Sequence, residues 1–290
     1  MVTAPGAYTM SMADYLQDPC PAPSLNASLA HILLTQSPAH AALAHPHLSP
    51  DVVYRLSDAF DLGTAVHALV LEGVDGFCEV PAADWKTKAA KLARTAARSL
   101  GQIPLLTAQI DTVRAMAAAI QEQVVQFPEP RPLRDGEPER VLIWQEGAIW
   151  CRARVDYLHF DRRTVDDLKT TGESAHPAEW TRRLFERGHD LQAAFHARGV
   201  QQIYGPTPDF RFLVAETSPP YAVSLIGLTP EARDFADTRM RTAIELWARC
   251  LRTSRWPGYA RRPVYAELPP WVVTRWQERQ FYEEALDDAG

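Results

Sequence analysis

A chain of 290 residues is long enough to bury a substantial core, as one large domain or two small ones. Its 46% hydrophobic and 23% charged residues are those of an ordinary soluble globular protein, and no apolar run approaches the ~20 residues of a membrane span. The net charge of −6 argues against a molecule that is basic all over, so any nucleic-acid contact has to come from local segments.

The opening "MVTAPGAYTMSMADYLQDP" lacks the basic and apolar regions of a secretory signal, so a cytoplasmic protein without a membrane role is expected. Next, "SLNASLAHILLTQSPAHAALA" (24–44) has helical apolar spacing broken at Pro38, which predicts a helix, a turn and a short helix. "SDAFDLGTAVHALVLEG" (57–73) predicts a helix ending at Gly73, with His67 in its apolar middle; by itself that is the setting of a core histidine. Residues 84–98 read as a basic helix, and 107–127 as an amphipathic helix stopped by the proline-rich "PEPRPLRDGEPE".

The period then changes. "RVLIWQ", "AIWCRARVDYLHF" and "TVDDLKTT" are short, β-branched and aromatic, which predicts a three-stranded antiparallel meander. Residues 177–205 read as helix, in two pieces around Gly188; "FRFLVAET" and "AVSLIGL" as strands; and 230–252 as a long Arg-bearing helix. Helices, three strands, helix, two strands and helix make a mixed α/β (α+β) fold with helices flanking a central sheet.

The charged and sulfur-bearing residues narrow the chemistry. Cys20, Cys78, Cys151 and Cys250 are scattered without a CxxC pair, which speaks against a zinc knuckle, an iron–sulfur motif or a disulfide framework. Between Pro230 and Arg262 eight arginines face four acids, and between Asp84 and Arg98 three lysines and two arginines face one acid. These segments, with Lys86, Lys88, Lys91, Arg239 and Arg241, are the candidates for DNA-backbone contact, although solvated helix faces have the same composition. Only four of the 30 basic residues are Lys, and the one outside 86–91 is Lys169.

Lys169 lies in "VDYLHFDRRTVDDLKTTGES" (155–174). In a strand Asp167 and Lys169 share a face, and a hairpin lets Asp156 meet them at one end of the sheet. Two carboxylates are hard oxygen ligands suited to Mg²⁺ or Mn²⁺, and a lysine beside them adds charge next to an attacking water. That combination suits phosphodiester hydrolysis. Spacing alone leaves an ordinary surface ion pair open.

With "GTAVHALVLEG", "ARVDYL", "DDLKTT" and "DLQAAFH" in this order, the chain resembles the PD-(D/E)XK nuclease superfamily, and within it the exonuclease VIII (RecE-type) branch related to RecB-type nuclease domains. The resemblance implies a restriction-endonuclease-like core in a single domain over 1–290: a mainly helical part over 1–130, a catalytic core over 139–252 and an extension over 253–290. It implies His67, Asp156 and Asp167 as ligands of one or two Mg²⁺ or Mn²⁺ ions, Lys169 as the residue that orients or activates water, and Gln192 as a helper. Glu139, which opens the first strand, and His196, where RecB-type members carry a tyrosine, are possible accessories. The implied activity is metal-dependent exonucleolysis of linear duplex DNA, 5′ to 3′, in phage-type recombination. A homo-oligomeric ring and a single-strand annealing partner go with it. The same fold also serves structure-specific and endonucleolytic nucleases, and catalytically inactive DNA-binding modules.

Overall fold

The computed structural model describes residues 1–50 and 58–287. From the amino end, a short strand β1 (Gly6–Tyr8) and a helical turn α1 (Met12–Leu16) precede α2 (Ala27–Thr35), whose N-cap Asn26 accepts the Leu29 N–H at 2.9 Å. Pro38 opens α3 (Pro38–Leu43), since its ring presets the helical φ where no N–H is needed. The predicted helix, turn and short helix are therefore present.

Next comes α4 (Asp58–His67), which runs directly into a π-helical turn, Ala68–Glu72, closed by Gly73 in the left-handed region at φ +66°. The predicted end at Gly73 is observed; residue 57 of that prediction lies outside the described residues. The change of winding at His67 was not legible, because apolar spacing does not separate α from π over one turn.

A small two-stranded parallel sheet follows, β2 (Phe77–Val80) and β3 (Ile103–Leu106), joined by α5 (Lys88–Ser99). Each strand has four residues, too few to show a period. The basic helix begins later than the charge pattern suggested, at the Thr87 cap, whose hydroxyl accepts the Ala90 N–H. Helix α6 (Thr107–Val124) buries Ile110, Val113, Met116 and Ile120 along one stripe.

The meander is formed by β4 (Gly136–Glu146), β5 (Ile149–His159) and β6 (Thr164–Thr171). Then come α7 (Pro177–Glu186), α8 (His189–Tyr204), β7 (Asp209–Glu216), β8 (Val223–Gly227) and α9 (Pro230–Thr253). The larger sheet has the order β1-β4-β5-β6-β7-β8, antiparallel except for the β6–β7 pair. A parallel pair needs a long crossover, supplied here by α7 and α8. Gly188 makes the joint between them at φ +72°, and a β-carbon there would lie 2.1 Å from Nδ1 of His31, so no other residue fits.

One core, built from Leu142, Trp144, Val165, Phe195, Phe212 and Trp247, lies under α2, α8 and α9. A second, with Val113, Met116, Ile120, Leu168 and Leu213, lies under α4 and α6. The chain is thus a mixed α/β protein with a six-stranded, mainly antiparallel central sheet flanked by helices. Residues Met1–Pro257 form one compact unit and Gly258–Gly290 another. The second carries α10 (Pro270–Asp287), in which the Arg275 guanidinium lies 5.2 Å over the Trp271 ring. No described helix is long and apolar enough to cross a membrane.

Candidate metal and active site

The site grows out of a gap in the meander. The β5–β6 ladder consists of Tyr157 opposite Asp166 and Leu158 opposite Val165, and there the strands part. The next step in that register would set Asp156 against Asp167. In place of a ladder bond, the Asp156 carboxylate accepts the Leu168 backbone N–H at 2.9 Å. The separated strands leave room for side chains between them, which an intact ladder would not.

Three more elements supply groups to this gap. Nδ1 of His67, at the junction of α4 and its π turn, is 3.6 Å from the Asp156 carboxylate. Single-turn π segments inside α-helices recur at functional sites, because they rotate one side chain out of the helical register. Helix α4 comes close because Gly63 faces β6: a β-carbon there would stand 3.2 Å from Oγ1 of Thr170. From β4, Glu139 lies opposite Asp156, between the paired positions Pro138–Tyr157 and Arg140–Val155. His67, Glu139 and Asp156 each offer a ligand atom within 4.8 Å of the others.

From the first turn of α8, Gln192 donates to Oδ1 of Asp167 at 2.7 Å, while Oδ2 is ion-paired with the Lys169 ammonium. Asp167 is fully buried, with one of these two groups on each of its oxygens. The structure therefore gathers His67, Glu139 and Asp156 as one cluster and Asp167, Lys169 and Gln192 as a bonded trio beside it.

The electrostatics follow from burial. Asp156 is pushed up to about 6, by desolvation foremost, against the opposing pull of Lys169. Asp167 is also pushed up to about 6, by desolvation and then by the Asp156 charge. Burial works to lower Lys169, but the Asp167 and Asp156 charges outweigh it and raise its pKa. Burial and then the Lys169 charge lower His67, which favours the neutral imidazole that can ligate. Carboxylates that burial has left short of positive charge, next to a neutral imidazole, are a donor set that fits a hard divalent cation.

His196, one turn beyond Gln192, is 5% exposed, packs edge-on to Phe210 and is depressed to about 3 by burial and by Lys169. His189, at the start of α8, stacks on Trp180 at 5.4 Å and is held at about 3 by burial and Lys169. Of the basic candidates, Lys86, Lys88 and Lys91 are exposed on or just before α5, and Lys86 pairs with Asp84 at 3.6 Å. Arg241 pairs with Asp237 at 3.2 Å. Arg239 is turned inward onto the buried Asp190 at 2.6 Å, so its charge ties α9 to α8. Sequence reasoning did not single out Arg154, whose Nε donates to Glu139. An Arg two residues before Asp156 is ordinary in a strand, and only the cross-strand register shows what it meets.

The family model for the PDDEXK-like domain of unknown function (DUF3799) matches residues 30–268, and the chain belongs to that family. This makes it a PD-(D/E)XK superfamily domain, a nuclease-type fold. Among solved structures, a presumed exonuclease from Eubacterium rectale superposes with a TM-score of 0.58 at 12% identity, covering 89% of this chain and 97% of that one. A phage-related exonuclease from Haemophilus somnus aligns at a TM-score of 0.33 and 12% identity over 80% of this chain and 96% of that one, too loosely to bear on the fold. No curated protein matches the sequence.

Proposed function

We propose that the chain is a divalent-metal-dependent exodeoxyribonuclease that degrades linear duplex DNA from its ends, 5′ to 3′, with Mg²⁺ or Mn²⁺ as the ion. The observation that carries this reading is the meeting of His67, Glu139 and Asp156 beside the Asp167–Lys169–Gln192 trio, in a chain of the PDDEXK-like family. His67, Asp156 and Asp167 would hold one or two ions. When bound, such an ion supplies Lewis-acid polarisation of a phosphoryl oxygen.

The chain's own groups divide the remaining work. Lys169 stays an ammonium because two carboxylates raise its pKa, so its part is to orient the attacking water and offset charge on the phosphate, not to accept a proton. Gln192 fixes the Asp167 carboxylate and, through it, the ammonium. The exposed lysines of the 84–98 segment, with Arg241, would bind the DNA backbone without sequence preference and with strong salt dependence. A homo-oligomeric ring around DNA and hand-over of the exposed strand to an annealing protein complete the proposal. A monomer by light scattering at micromolar concentration would remove the ring.

The test is incubation with end-labelled linear duplex and with covalently closed circular DNA, in Mg²⁺ and in EDTA. Mg²⁺-dependent loss of the linear DNA alone is expected. Cutting of the circle would make the enzyme an endonuclease, and DNA binding without degradation under any metal would make it a binding module.

A further inference from the structure

We propose that Glu139 is a ligand of the divalent cation, aimed into the site by its own backbone and steadied there by Arg154. The proposal rests on the nuclease reading above, and it adds a donor absent from the pattern of helical His, strand Asp and Asp-x-Lys. Glu139 stands where the β4–β5 pairing is interrupted, directly opposite Asp156. Its φ of +53° is in the left-handed region, which a residue with a β-carbon adopts at a cost that Gly or Asn would reduce. A residue needed only to continue a strand has no use for that conformation. Here it carries the carboxylate to within 4.8 Å of the ligand atoms of both His67 and Asp156.

Arg154 then fixes the side chain. Its Nε donates to Oε2 of Glu139, and its Nη1 is buried without a hydrogen-bond partner among the described residues. One carboxylate oxygen is thereby tethered and the other left to ligate. Arg154 is a positioning residue in this scheme: it acts on the cation only through Glu139, as the outer partners of metal ligands do.

The experiment is a titration of the full chain, without DNA, with Mn²⁺ followed by electron paramagnetic resonance. It compares the parent with Glu139→Gln, Glu139→Gly, Arg154→Met, Arg154→Lys and Asp156→Asn. Glu139→Gln is expected to bind about 10–100-fold more weakly. Glu139→Gly should lose as much affinity while relaxing the backbone, which separates loss of the ligand from loss of the fold. Arg154→Met should weaken binding severalfold, and Arg154→Lys should recover part of it. Parental affinity in both Glu139 variants, with binding lost in Asp156→Asn, would overturn the role of Glu139 and leave the nuclease site standing. Affinity that rises on removing the Arg154 charge would overturn its positioning role. Parental affinity in Asp156→Asn as well would overturn both the proposal and the metal site on which it rests.

Discussion

Asp18 and Asp156 are both carboxylates taken largely out of water, and their environments move them in opposite directions. Asp18 accepts from Ser24 N and Oγ at 2.8 Å, from His45 at 2.9 Å and from Arg152 at 3.1 Å. Burial alone would raise it, but the His45 hydrogen bond and the Arg152 charge prevail and hold it well below the usual carboxylate range. Asp156 has a backbone donor and lies near Lys169, but desolvation foremost, with the Glu139 charge, prevails and it goes up. The same contrast separates two consecutive residues of β6. Asp166 is met by His159 at 2.6 Å, by Arg211 at 2.7 Å and by the Leu133 N–H at 2.9 Å, on the side away from Asp167. Saturated carboxylates tie elements together, whereas undercompensated ones keep the capacity for a cation or a proton.

The largest test of that contrast is catalytic. Asp156→Asn keeps an acceptor for the Leu168 N–H but loses the charge. It should cost several kcal/mol of transition-state stabilisation, on the order of a thousandfold in hydrolysis of labelled linear duplex. Its metal-free melting temperature should stay level or rise, because an expensive buried charge has gone. A substantial fall in that temperature would place Asp156 with the saturated group.

Asp18→Ala and Asp166→Ala should behave in the opposite way. Each leaves a buried arginine unpaired, and roughly 3–5 kcal/mol of stability should go, read from chemical denaturation. If either variant is as stable as the parent, saturation is not what distinguishes the two groups.

A smaller effect lies in the pH dependence. Asp156 titrates near 6 in the folded chain against an ordinary 3.8, so the folded state binds its proton more tightly than the unfolded one. Its contribution to stability therefore improves as pH falls through about 6 and is complete below the unfolded value. Divalent-cation affinity has the opposite sign, being full above about 6 and declining as pH is lowered through it. Stability differences between the parent and Asp156→Asn, with Mn²⁺ titrations at about pH 5 and about pH 7.5, measure both. Parallel trends would contradict the assignment.

The smallest expected change is Gly63→Ala. The added β-carbon would press on Thr170 at 3.2 Å and shift α4 with His67 by a few tenths of an ångström. Mn²⁺ affinity should drop severalfold with about 1 kcal/mol or less of stability lost. Unchanged affinity would show that the seating of α4 does not control the ligand geometry.

Much of this protein was written locally. The meander, the break at Gly188 and the order of the helices followed from period and punctuation, because hydrophobic spacing and Gly or Pro act within a few residues. "VDYLHFDRRTVDDLKTT" announced Asp156, Asp167 and Lys169, since a hairpin brings its own ends together. What remained hidden depends on partners distant in the chain. His67 reads as a core histidine until α4 is seated on β6 through Gly63 and Thr170. Glu139 reads as an ordinary strand opener until the β4–β5 register sets it against Asp156. Arg239 counted as a free cation until Asp190 took it. The sequence by itself determined the elements and the acidic motif, whose signals are short-ranged. Tertiary structure alone decided which carboxylates are saturated and which are left short of charge, because that balance depends on burial and on donors from other strands and helices.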